Sequence, residues 1–359
     1  MASGPPIERR GMDPPSEPSG PNHFAPNQLI PESMPRIPAA FRPRSAIRTS
    51  RETRFGDRRA GEYALAPPPQ NRFPCSIRPN PSCAVNPNRR ARIRGAPLNN
   101  AQPITGCRPG DIAENILLCG DPARVERITA DWEEKREVCG VREYTIVTGQ
   151  RDGVALSAAS HGIGAPGTAI LVEEMIKLGA KTMIRIGNSG GLDPATEIGD
   201  LAITTGCVRD DGTSKTYVLP EYPAIANWEV VGALVEESAI TGAPAKTGVT
   251  WSLDAFYARN AIAGPNDSLL SMSVGGYWPS HFETRIRDMQ QARILNCEME
   301  AGILLTLAGL FGIRAGAICV VSDKAPWPGP SKIDLDNNMT ACIEVATRAM
   351  LRLAGSRDL

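Results

Sequence analysis

The chain has 359 residues, and its 39 Lys and Arg balance 39 Asp and Glu. The balance is uneven along the chain: residues 1–100 hold 16 Arg, no Lys, 7 acids and 19 of the 32 prolines, a net charge of +9, so residues 101–359 carry −9. An acidic body excludes a duplex-binding core, which needs a basic face to neutralise phosphates, and no apolar run approaches the ~18–20 residues of a membrane span.

Residues 1–103 read as a Pro/Arg-rich, disordered extension, because prolines such as Pro67-Pro68-Pro69 interrupt any helix and apolar periodicity is sparse. An organelle transit peptide is one reading, opposed by the early acids Glu8, Asp13 and Glu17. A nucleic-acid tail around Arg89-Arg90-Ala91-Arg92-Ile93-Arg94 is another. The blandest is an extension without function, or a wrongly assigned translation start. Nine cysteines without a CxxC pair fit buried thiols in a reducing cytoplasm, with neither a disulfide framework nor a zinc site.

Residues 104–359 are long enough for one large domain with a sizeable core. Asn115–Cys119 is a short apolar run entering Gly120-Asp-Pro, which predicts a buried strand and a turn. Residues 143–148 and 154–160 read as two more strands. A glycine-rich loop, His161-Gly-Ile-Gly-Ala-Pro-Gly167, then opens a helix over 168–178. Its Gly162-x-Gly164-x-x-Gly167 spacing matches the dinucleotide fingerprint. The next strand, however, lacks the acid that ribose recognition requires, and a tight turn explains the glycines. Residues 182–186 form the next strand, broken at Gly187-Asn-Ser-Gly-Gly191. Further on come a buried helix over 299–310, a strand over 315–321 and a last helix over 337–353. Strands alternating with helices predict an α/β domain, with helices on both faces of a parallel or mixed sheet.

In such folds ligands bind past the carboxyl ends of strands. Arg185 interrupts an apolar strand; a buried guanidinium needs a partner, either a bound oxyanion or an acid such as Asp200. Arg124 also follows a strand end, and two arginines beside glycine turns would grip an oxyanion. Glu298 and Glu300, spaced by Met299, either cap a helix or accept hydrogen bonds from a vicinal diol. Asp323 becomes a general acid if burial raises its pKa. Phe256 and Tyr257 serve either as core or as a stacking face for a flat heterocycle. His23, His161 and His281 form no triad with a serine.

Six segments in register resemble the nucleoside phosphorylase family that contains uridine phosphorylase and the hexameric purine nucleoside phosphorylases. They are Gly120-Asp-Pro-Ala-Arg124, Arg142-Glu-Tyr144, His161–Gly167, Arg185-Ile-Gly187, Gly248–Tyr257 and Asn296-Cys-Glu-Met-Glu300. The resemblance implies a three-layer α/β/α nucleoside-phosphorylase-like fold with a central mixed β-sheet. It also implies reversible cleavage of a nucleoside by phosphate to free base and (deoxy)ribose 1-phosphate. Carried over, Gly120, Arg124, Arg185 and Asn188 bind phosphate, and Arg142 reaches the phosphate of a neighbouring subunit in a homo-oligomer built on dimers, with a hexamer usual. Glu298, Met299 and Glu300 hold the ribose, and Phe256 and Asn260 meet the base. Arg185 stabilises the reacting phosphate, and Asp323 protonates the departing base in purine-cleaving relatives. No metal or organic cofactor is implied; phosphate is a co-substrate.

The chain departs from the family at the base. Uridine phosphorylases carry Gln-x-Arg where this chain has Asn260-Ala-Ile262. The arginine that supports the purine-cleaving Asp has no counterpart over 332–338, and the histidine that reaches the ribose 5′ end is absent near Ile104-Thr-Gly106. The segments over 161–178 and 248–257 lean to the uridine branch, and Asp323 to purines. A water-using nucleosidase of the same fold and a catalytically silent nucleoside binder are the remaining alternatives.

Overall fold

A computed structural model of the chain describes residues 100–328 and 333–355. The expected extension over 1–103 falls outside these apart from its last four residues.

In chain order the first half forms β1 (Asn115–Cys119), α1 (Pro122–Ile128), β2 (Glu133–Val141), β3 (Tyr144–Arg151), β4 (Val154–Ser160), α2 (Ala165–Lys177) and β5 (Thr182–Gly191). Next come β6 (Leu201–Asp210), α3 (Gly212–Tyr217), β7 (Ala224–Ile225), α4 (Trp228–Thr241), β8 (Ala245–Leu253), β9 (Ala261–Ala263) and β10 (Leu269–Ser271). The chain continues with α5 (Phe282–Gln291), β11 (Asn296–Glu298), α6 (Ala301–Phe311), β12 (Arg314–Lys324) and α7 (Met339–Gly355).

The main sheet is mixed, as expected, and runs β11-β8-β6-β12-β5-β1-β4-β3-β2. β5 is parallel to both β1 and β12, while β12 meets β6 antiparallel. β11 bonds β8 on one side and β5 on the other, so five strands close into a ring.

Strand periodicity sorts side chains onto two faces. Leu117, Ile184 and Ile186 pack with α1, α4 and α7, whereas Ile116, Leu118 and Met183 pack with α2 and α6. Arg185, one residue from Ile184 and two from Met183, therefore falls on the α2/α6 face. There it meets the start of α6.

Two expectations are corrected. β5 does not break at Gly187 but runs on to Gly191, where Gly190 and Gly191 pair with β11 and with the end of β12. An ideal Cβ at Gly191 would sit 2.3 Å from Thr196 Oγ1, so glycine is present for close packing and not for a turn. β12 continues past Val321 to Lys324 through a bulge between Val321 and Asp323. Asp323 thus lies within the strand, and the bulge re-aims its side chain.

Candidate active site

A cavity of about 650 Å³ opens at the carboxyl ends of β1, β5 and β12. Its lining includes ten of the eleven residues expected to bind or act: Gly120, Arg124, Arg185, Asn188, Phe256, Asn260, Glu298, Met299, Glu300 and Asp323. The one left out, Arg142, is exposed in the tight β2–β3 turn with φ +56°.

One end of the cavity is cationic. Arg124 comes from the first turn of α1, whose N-cap Asp121 accepts from Ala123 N and whose Pro122 suits the first helical position. The buried Arg124 guanidinium donates to Asn188 Oδ1 at 2.6 Å and to Ile186 O at 3.4 Å, which ties α1 to β5. Asn188 in turn donates to Leu335 O at 3.0 Å. The Arg185 guanidinium folds back over Gly187, where an ideal Cβ would lie only 1.9 Å from Nη1. Glycine is the only residue that leaves it this space.

Arg185 does not pair with Asp200, which is engaged by Lys246. It bonds Glu300, lies 3.4 Å from Glu298 Oε2 and donates to Cys319 Sγ at 3.2 Å. Both carboxylates are buried, so two anions share one cation. Burial pushes Glu298 up, and the neighbouring Glu300 adds to that; Arg185 only partly offsets the rise. Burial works against Glu300 too, but there the Arg185 guanidinium wins and holds the carboxyl below its usual range. Glu298 Oε2 accepts from Glu300 N and Ala301 N, both at 2.8 Å, which caps α6. Its Oε1 has no partner among the described residues. Glu300 Oε1 accepts from Gly164 N at 2.6 Å, tying the glycine-rich loop to α6. The capping and the diol-binding readings of this pair are therefore compatible: one oxygen of Glu298 caps the helix and the other is unengaged.

That loop is a turn. Gly162 and Gly164 have φ of +74° and +96°, and a Cβ at Gly167 would lie 2.7 Å from His161 O. Buried His161, with Nδ1 2.8 Å from Gly162 O, is pushed down to about 4 by burial and so stays neutral.

The other end of the cavity is less charged. Phe256 packs edge-on against Tyr257 at 5.1 Å and against Trp327 at 6.1 Å, and Asn260 is buried beside them. Burial pushes the Asp323 carboxyl up to about 6, against hydrogen bonds from Trp327 and Ser322 that lower it. Lys324 does not oppose this rise: its ammonium turns onto the carbonyls of Asp193, Pro194 and Thr196.

Glu143, Leu253, Cys297, Ser322, Ile333 and Leu335 also line the cavity. Glu143, Leu253 and Cys297 fall inside segments singled out from the sequence, and Ser322 directly precedes Asp323; Ile333 and Leu335 carry no local signal.

A family model described as the phosphorylase superfamily matches residues 115–354. The uridine phosphorylase of Thermococcus kodakarensis is 46% identical over 215 residues, spanning 60% of this chain and 74% of that protein. The uridine phosphorylase of Escherichia coli is 34% identical over 238 residues, spanning 66% of this chain and 91% of that protein. The guanosine phosphorylase of Halorubrum lacusprofundi is 36% identical over 238 residues, spanning 66% and 90%.

Proposed function

The chain belongs to the phosphorylase superfamily, and from that premise we propose that it is a nucleoside phosphorylase, a pentosyltransferase. The observation that carries this reading is the gathering, in one cavity, of two buried arginines and two buried carboxylates: Arg124 from the first turn of α1, Arg185 from β5, Glu298 from the end of β11 and Glu300 from the start of α6.

Phosphate sits against Arg124, Arg185, Asn188 and the backbone at Gly120. Glu300 and the unengaged oxygen of Glu298 accept the sugar hydroxyls, and Met299 packs against the ring. Phe256 and Asn260 meet the base. The C1′–N bond breaks with its electron pair leaving on the base, and a phosphate oxygen forms the new bond to C1′. Positive charge develops on the sugar in between, and the dianion held beneath it stabilises that charge as well as attacking. No cofactor is needed beyond phosphate as co-substrate. Arg142, outside this chain's cavity, acts on the phosphate of a neighbouring subunit in a homo-oligomer. Among the described residues no helix is long and apolar enough to cross a membrane, and the seven described cysteines are free.

The uridine-phosphorylase-like reading leads, on the names of the relatives. A second reading, a purine nucleoside, is favoured by one observation: the Asp323 carboxyl is held in the cavity wall with its pKa raised toward neutrality.

Release of free base from uridine and from inosine, each with and without phosphate, tests both. Phosphate-dependent release that Arg185→Ala abolishes is expected. Cleavage that proceeds equally without phosphate would make the protein a water-using nucleosidase and overturn the arginine cradle.

A further inference from the structure

We propose that Trp327 is the positioning residue of the base end: it holds Asp323 to donate a proton to a departing base with a basic ring nitrogen, a purine. This rests on the second reading above.

The Trp327 indole Nε1–H donates to Asp323 Oδ2 at 2.5 Å. Trp327 does not line the cavity and is buried, so it meets Asp323 and not the ligand. It is fixed from three sides. Its N–H donates to Ala261 O at 2.8 Å, its carbonyl accepts from Ala263 N at 2.6 Å, and its ring meets Phe256 edge-on. These contacts stitch the segment after β12 onto β9, which directly follows Asn260, so the aromatic face, Asn260 and Asp323 are held in one frame.

The groups around Asp323 are neutral. Cys297 and Ser322 lie beside it, Lys324 is turned away, and among the described residues no Lys or Arg forms an ion pair with it. An indole N–H orients one carboxyl oxygen without the full positive charge that would hold the group ionised. Oδ1 is then the oxygen available to a base. As the glycosidic bond breaks, its electrons enter the base, the proton passes from Asp323 to the imidazole-ring nitrogen N7, and Asp323 is left as carboxylate until solvent reprotonates it. A pyrimidine has no such nitrogen and spreads its charge over carbonyl oxygens.

The test compares inosine with 7-methylguanosine, whose base is already cationic and departs without that proton. In Trp327→Phe, which keeps an aromatic ring against Phe256, the inosine to 7-methylguanosine ratio of kcat/KM at the acidic plateau should fall about tenfold. The alkaline limb for inosine should move up by about one pH unit, because a hydrogen bond that favours the carboxylate is lost. Asp323→Asn should lower the same ratio further. If Trp327→Phe lowers both substrates in proportion and leaves the limb in place, Trp327 is merely structural and the proposal is wrong. If the unmodified protein releases uracil but no purine, phosphorolysis stands and the proposal falls. Release of neither base would remove the phosphorylase reading as well.

Discussion

Gly187 shows how much of the site depends on a missing side chain. The Arg185 guanidinium occupies the volume that a methyl group at position 187 would take. Gly187→Ala is therefore expected to expel it from between Glu298 and Glu300, leaving two buried carboxylates without their cation. Breaking such a pair costs about 3–5 kcal/mol. Phosphate at a hundred times its dissociation constant should stabilise the unmodified protein by about 2.7 kcal/mol and the variant by almost nothing. Thermal unfolding with and without phosphate measures both; an undiminished phosphate effect in the variant would place the anion elsewhere. At this scale the sequence was informative where a residue broke a local pattern. Arg185 was found as a charge within an apolar strand, and Asp323 as an acid after one. The partner of Arg185 was not legible, because Glu300 is 115 residues away and Asp200 looked equally suitable. Trp327 gave no signal at all, since an aromatic residue in a Pro-rich loop is indistinguishable from core.

Among the elements, α4 and α7 show what a shared carboxylate does. Glu237 on α4 is buried and accepts from Arg348 Nε and Arg352 Nε on α7, each at 2.8 Å. Burial raises its pKa, but the two arginine hydrogen bonds outweigh burial and hold it below the usual range. A carboxyl depressed on folding adds stability that is present above its unfolded pKa and is lost as pH falls through its folded one. Glu237→Gln should accordingly cost about 2 kcal/mol at pH 7, with the difference shrinking below about pH 4. Urea unfolding at both pH values checks this, and a pH-independent difference would show that shape, not charge, joins the helices. Elements with a buried face were the readable ones: β1 and β4 coincide with their apolar runs. β2 was missed because both its faces are largely exposed and its sequence, Glu133–Val141, has no alternation to read. β5 was cut short because glycines usually mark an end, and only tertiary packing shows why these continue.

For the whole molecule, the α/β class followed from alternating strands and helices, but the closing of five strands through β11 did not, since a three-residue strand with partners on both sides leaves no trace in periodicity. The assembly is testable by complementation. If Arg142 serves a neighbour's phosphate, Arg142→Ala and Arg185→Ala are each nearly inactive alone. In a twofold pair, mixed oligomers contain sites that lack both residues and sites that lack neither. Co-refolding equal amounts should restore activity to about a quarter of the sites. Mixtures no more active than their components would put Arg142 outside the chemistry.

β5, which carries Arg185, shares ladders with β1, β12 and β11 at once. A backbone held on that many sides opens only when the molecule as a whole unfolds, so its amide protons belong with the slowest to exchange. The base end hangs instead from short segments, β9 and the residues after β12. The two halves of one cavity thus keep different time: the anion meets a surface that opens only with the whole sheet, while the base meets a frame that is held together by its own contacts and can open as a unit before the sheet does.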